Sequence, residues 1–425
     1  MAMDSVRLSV AEVTFAKNAN TSYGYDKYEL IPTKNGKKWS KPMKDFVSVK
    51  GSTGSNTTKV TATIAGVKPA FIAFAHDSTV FTVSPTAASS ASQEVTITGA
   101  ALGTNKKLGP KDLAARVNVT GNTLKYNVLG VCTYKLMTGE GEDGKEWLKY
   151  KLFRIYRTGQ ANDLSFGTLL DGQDDKNTVR GLLLQAVLLP AFVAPQTINN
   201  SKYDAPEGTL PTDFGRTRPD GHLYIGADGK ATAEQKQIDA ETTNVPEKTR
   251  KIIYVKDVWL TYGLSANAAP EDIVLSLYSV GSLKADASLT LEGYDSGGTF
   301  HSKTVTIATV DAENKRITVT GPIGNEYVSD SGKKAWVARD VGGLSGSPIY
   351  IGEGTGAGSG WTREGILTAI AHEIGHNNVL NHVDATDDLM NPVGDEHTRI
   401  LRYRQLKKAY GTGTVSQWHE EAYRE

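Results

Sequence analysis

At 425 residues the chain is longer than one hydrophobic core supports, so two or three domains are expected. Its 47 basic and 47 acidic side chains cancel, so nothing in the charge balance suggests nucleic-acid binding, which needs a basic face or a pI well above neutral. A single cysteine, Cys132, excludes an internal disulfide framework and any cysteine zinc site, and no apolar run is long enough to span a bilayer.

Residues 1–10 carry neither the basic segment nor the apolar core of a signal peptide, so the chain reads as cytosolic or as a mature form without its leader. Up to residue 111 the pattern is all-β. The runs "VRLSVAEVTF", "KVTATIAG", "STVFTVSP" and "QEVTITGA" alternate and are separated by Gly, Ser, Asn and Pro, which predicts an immunoglobulin-like sandwich over 1–111. The basic stretch "PTKNGKKWSKPMK" carries Asn35-Gly36 and reads as a solvated hairpin rather than an anion patch around Trp39.

A second, α+β domain is expected over 112–425. Cys132 falls in "YNVLGVCTYKL", a buried strand. "GLLLQAVLLPAFVAP", residues 181–195, predicts a buried helix capped at Asn177 or Thr178 and ended by Pro190. About 197–330 reads as a β-rich insertion: a polar excursion to about 249, the strand "KIIYVKDVWLTYGL", and a meander of "ASLTLEGYD", "KTVTIATVD" and "KRITVTGPIG". Pro348, Ile349, Tyr350 and Ile351 predict a short strand at a sheet edge, since proline cannot donate to a ladder. A place elsewhere in the sheet is the alternative.

The candidate chemistry lies on a helix expected over about 363–378. In "WTREGILTAIAHEIGHNN", Thr362 stands as N-cap, Glu364 is in the first turn, and Ile366, Ile370 and Ile374 form an apolar stripe. His372 and His376 are i and i+4, about 40° apart around the axis and roughly 6 Å along it, a placement from which both imidazoles can converge on one cation. Glu373 lies about 100° from His372, beside such a cation, where a general base for water belongs. A helix continued to His382 would turn that ring about 240° from His376, so the chain must leave the helix between them. Asn377 and Asn378 are read as that break, because asparagine tolerates the left-handed conformation.

His372, Glu373, His376 and His382 stand as in the HExxHxxGxxH signature of the metzincin zinc endopeptidases, and Met390 in "DDLMNP" resembles that clan's Met-turn. The spacing is similar to the matrix metalloproteinase branch. The close likeness covers residues 362–392. It implies that His372, His376 and His382 bind one Zn2+, that Glu373 takes a proton from water as it attacks a peptide carbonyl, and that Met390 is a structural floor. It also implies that an edge strand, assigned to Pro348–Ile351, binds an extended protein or peptide substrate. Val379 stands at the signature's glycine, so Asn377 or Asn378 is expected to make the turn. Pro392 occupies the place of the tyrosine found in the astacin and serralysin branches. Glu396, Asp384, Asp387 and Asp388 are weaker candidates than His382 for the third ligand. "HTRILRYRQLKKAYG" predicts a C-terminal helix over about 396–410, with Tyr403 and Tyr410 in its core stripe.

The expected function is therefore a secreted or cell-surface bacterial zinc endopeptidase. Its N-terminal domain would bind a surface or partner, or act as a spacer. Two alternatives are an inactive metzincin-like binding or adhesion protein, and a structural part of a secretion or phage apparatus. Peptide cleavage separates the first alternative from the enzyme, and metal content separates the second.

Overall fold

The computed structural model describes residues 10–21, 24–26, 45–51, 56–103, 105, 107–117, 123–125, 128–134, 137–138, 148–156, 169–171, 177–185, 188–199, 222–226, 233–255, 257–329, 335–352, 362–378, 380, 382 and 389–390. Of these, 52% lie in strands and 13% in helices, so the protein is β-rich and built from several sheets. Among the described residues no helix is long and apolar enough to cross a membrane. Two compact units are formed, one from Met1–Leu148, Thr168–Ala191 and Ile374–Glu425, the other from Lys149–Gly167 and Phe192–Glu373.

In the first unit, one five-stranded sheet has the order Phe81–Ser84, Ser92–Gly99, Thr57–Ala65, Val10–Lys17, Thr123–Lys125. The other has the order Tyr25–Asp26, Asp45–Lys50, Leu129–Tyr134, Lys107–Val117, Ile72–Ala75. Along Thr57–Ala65 burial alternates residue by residue, with Thr58, Val60, Ala62 and Ile64 inward, as a sheet with one solvated face requires. The rings of Phe15 and Phe74, one from each sheet, lie 6.2 Å apart in the core between them. Two pairings are parallel, Val10–Lys17 with Thr123–Lys125 and Leu129–Tyr134 with Asp45–Lys50, so the sheets are mixed and depart from an all-antiparallel sandwich.

These two sheets do not stop at residue 111. That position lies inside the Lys107–Val117 strand, and Leu129–Tyr134 pairs on both sides within the second sheet. Being central, Leu129–Tyr134 is buried throughout, and Cys132 is a core residue as expected, its Sγ donating to Leu108 O at 3.2 Å. Thr178 caps its helix as predicted, accepting from Gly181 N–H at 3.0 Å, but that helix covers only Val179–Leu184. Further along the apolar run, Leu188–Leu189 pairs in parallel with Met137–Thr138, and Ala191–Asn199 is a strand. A short leucine-rich run fits a buried strand as well as a helix, and periodicity alone does not separate them. Asn35-Gly36 and the 396–410 segment lie outside the described residues.

The second unit holds a five-stranded sheet in the order Ala191–Asn199, Lys149–Tyr156, Arg250–Val255, Ile349–Gly352, Gly343–Leu344. Lys149–Tyr156, Arg250–Val255 and Ile349–Gly352 run parallel, while Gly343–Leu344 runs antiparallel at one end. The seven-stranded sheet has the order His222–Gly226, Asp257–Gly263, Trp336–Val341, Ser288–Tyr294, Phe300–Asp311, Arg316–Val319, Val274–Ser276. Its last strand bonds back to its second: Ser265 N–H donates to Ser276 O at 2.9 Å and Tyr278 N–H to Gly263 O at 3.0 Å. Six of the strands thus close into a barrel around Leu260, Tyr262, Leu275, Leu291, Ile307 and Val337. The expected insertion at about 197–330 is displaced accordingly, since sheet strands run to Val341, with only Gly342 between the barrel and the Gly343–Leu344 edge.

Candidate metal centre

The helix carrying the candidate residues spans Arg363–Asn377. Thr362 starts it, its Oγ1 accepting from Gly365 N–H at 3.1 Å, and Ile366, Ile370 and Ile374 are buried as the stripe predicted. Leu367, Thr368, Ala369 and Ala371 are buried too, so this is an interior helix rather than a surface one.

His372, His376 and His382 each place one ligand atom within 4.8 Å of the others, and no other such group occurs among the described residues. His376 Nε2 and His382 Nε2 are 3.0 Å apart. His376 Nδ1 lies 2.7 Å from Leu380 O, so the proton sits on Nδ1 and the Nε2 lone pair is turned toward the cluster. Tetrahedral zinc with Zn–N of about 2.0–2.1 Å spaces its ligand atoms roughly 3.3 Å apart. The His376–His382 pair is close to that spacing, the third ring lies within 4.8 Å of both, and three imidazoles are a donor set that such an ion takes.

The chain leaves the helix before His382, as that geometry demands, but by a different device from the one expected. Asn377 is still helical, and neither it nor Asn378 is among the described residues with positive φ. Asn378 instead turns its side chain onto the helix end, Nδ2 donating to Ile374 O at 2.8 Å, and Leu380 N–H returns to Gly375 O at 3.1 Å. The latter bond has the 6→1 span of a Schellman closure. Val379, Asp384, Asp387, Asp388, Pro392, Glu396, Tyr403 and Tyr410 lie outside the described residues.

Glu373 is 7% exposed, and burial alone pushes its carboxyl up to about 8. A cation in the triad opposes that shift. The carboxylate lies along Gly343: a Cβ there would come 2.6 Å from Oε1, 2.9 Å from Cγ and 3.1 Å from Cδ. Met390 is fully buried, and its Sδ would be 2.6 Å from a Cβ on Gly375. The methionine therefore lies against the helix in the turn between the first two histidines.

The strand at Pro348, Ile349, Tyr350 and Ile351 is not an edge. Ile349–Gly352 pairs with Arg250–Val255 on one side and Gly343–Leu344 on the other, and Ile349 and Ile351 are wholly buried. Pro348 precedes the ladder, so its missing N–H puts no limit on pairing. The edge beside Glu373 is Gly343–Leu344. Gly343, Gly375, the Asn378 carboxamide and the Leu380 carbonyl were missed from sequence. Of these only Gly375 carried a signal, as a glycine inside a helix at a cost of about 1 kcal/mol.

No family model matches the chain, and no curated protein matches it. Two solved structures share small parts with it. The Gp54 tailspike of Acinetobacter baumannii bacteriophage AP22, in complex with A. baumannii capsular saccharide, is 8% identical over 22% of this chain and 16% of its own, with TM-score 0.18. The tailspike gp61 of Pseudomonas phage phi297 is 8% identical over 28% and 18%, with TM-score 0.16. The chain spans less than a fifth of either tailspike, and likeness of that extent carries no argument about fold or function.

Proposed function

We propose that this protein is a zinc-dependent endopeptidase of the metzincin type, with His372, His376 and His382 as ligands and Glu373 as general base. The observation that carries the reading is the convergence of three imidazoles after a helix break, next to one buried carboxylate. Bound zinc supplies Lewis-acid polarisation of water and of the substrate carbonyl. Glu373 takes a proton from water as it attacks the peptide carbonyl, then passes that proton to the leaving amine. Its low exposure keeps competing water off the carboxylate. Met390 supports the helix under the ligands and coordinates nothing.

An extended peptide is held by strand addition along Gly343–Leu344, one strand over from the position read in the sequence. The backbone there is short of side chains at Gly343, so substrate and base approach each other closely. Secretion or cell-surface placement goes with the family likeness, as does a binding or spacing task for the N-terminal sheets.

The test is hydrolysis of an unstructured protein such as casein by the zinc-loaded chain and by Glu373→Ala. Zinc content is expected to be equal in the two, and cleavage to fall by about 10²–10⁴-fold in the variant. A wild-type chain that holds zinc and cleaves nothing supports the alternative, a metzincin-like binding protein without activity.

A further inference from the structure

The bend that brings His382 to the cluster has no glycine at the signature position, where this chain has Val379. What the structure offers there is Asn378, 1% exposed. Its Nδ2 donates to Ile374 O at 2.8 Å, while its backbone N–H reaches Ile374 O at 3.2 Å and Gly375 O at 2.9 Å. The backbone N–H of this residue thus reaches both carbonyls, and its carboxamide adds a second bond on Ile374 O, fixing the last turn from the side chain as well. Leu380 shares that Gly375 carbonyl: its N–H closes on Gly375 O, and its own carbonyl accepts from His376 Nδ1 at 2.7 Å.

We propose that Asn378 is a positioning residue for the metal centre, whose carboxamide ends the helix and thereby holds the Leu380 carbonyl on His376. The inference rests on the zinc-site reading above and assigns to an asparagine side chain the task that the signature gives to a glycine backbone. Two features support it. The amide is aimed at the helix terminus rather than at a core partner, and its Oδ1 is buried with no hydrogen-bond partner among the described residues. A buried amide oxygen left unpaired is a net cost to folding, so stability alone favours an apolar residue at this place. Secondly, Leu380, which shares the Gly375 carbonyl with the Asn378 backbone N–H, meets the His376 ring nitrogen opposite the one facing His382, and such outer contacts set ring orientation and ligand basicity.

The experiment uses the full-length chain with zinc alone as the probe. Affinity is measured by competition with a chromophoric chelator for wild type, Asn378→Ala and the near-isosteric Asn378→Asp, with the absorption spectrum of the cobalt-substituted forms as a second readout. Both variants are expected to hold zinc about 10–100-fold more weakly and to give an altered cobalt spectrum at unchanged far-ultraviolet circular dichroism. If Asn378→Ala does not fold, Asn378→Asp carries the comparison. A variant that folds, loses thermal stability in the metal-free form and still binds zinc within twofold of wild type overturns the proposal, because Asn378 is then a helix cap and nothing more. A wild-type chain that takes up no zinc overturns the zinc-site reading itself, so the two failures are distinguishable.

Discussion

Gly343 lies directly on the carboxylate of Glu373, at a separation that leaves no room for a Cβ between the edge strand and the side chain. The atoms that an added methyl would meet, Oε1, Cγ and Cδ, all belong to the Glu373 side chain rather than to backbone, so the carboxylate is expected to shift while the strand stays. Gly343→Ala is therefore expected to retain zinc and thermal stability while kcat falls, by about a hundredfold for a displacement near 1 Å. Steady-state kinetics alongside metal analysis check this. An unchanged kcat would show that the position of Glu373 against the edge strand is irrelevant to turnover.

Gly375 and Met390 are in the same relation on the other side of the helix, with Met390 Sδ where a Cβ would go. Gly375→Ala gains helix propensity of about 1 kcal/mol but overpacks a filled site, at a cost of about 1–3 kcal/mol. Met390→Ala leaves a cavity and is expected to cost about 2–5 kcal/mol. In the double variant the new methyl enters the space vacated by the thioether, so the two effects are expected to add to less than their sum. Urea denaturation of the four proteins measures the coupling, and strict additivity would contradict the contact.

The buried carboxylate of Glu292 accepts from Trp336 Nε1 at 3.1 Å and lies 3.4 Å from both Tyr224 Oη and Ser302 Oγ. Trp336→Phe keeps most of the apolar volume but removes the donor at 3.1 Å, which is expected to destabilise the protein by about 1–3 kcal/mol. Glu292→Gln, which retains an acceptor, is expected to cost less. Equal thermal midpoints for wild type and Trp336→Phe would show that this hydrogen bond contributes nothing to stability.

The parts of the structure legible in the sequence are those set by local spacing. Thr362 and the Ile366, Ile370, Ile374 stripe located the helix, and the six residues from His376 to His382 required a break that the chain does make. Non-local pairing was not legible. Nothing near Pro348 announces that Gly343–Leu344 folds back antiparallel to cover Ile349–Gly352, and nothing near residue 111 announces that Leu129–Tyr134 returns to pair with Asp45–Lys50. The manner of the helix break was misread for a related reason. Asparagine has two ways to end a helix, through a left-handed backbone or through its side chain, and burial decided for the side chain at Asn378. The leucine-rich run after Gly181 divided between helix and strand because its length suited both.

Zinc stoichiometry tests the central geometry most directly. The purified full-length chain, stripped with chelator, reloaded with zinc and freed of excess metal by gel filtration, is expected to carry one zinc per chain. His382→Ala, which keeps the helix and its two remaining imidazoles, is expected to carry none after the same treatment. A wild-type chain without zinc, or a His382→Ala variant that holds it equally well, would contradict the closure of three histidines around one ion.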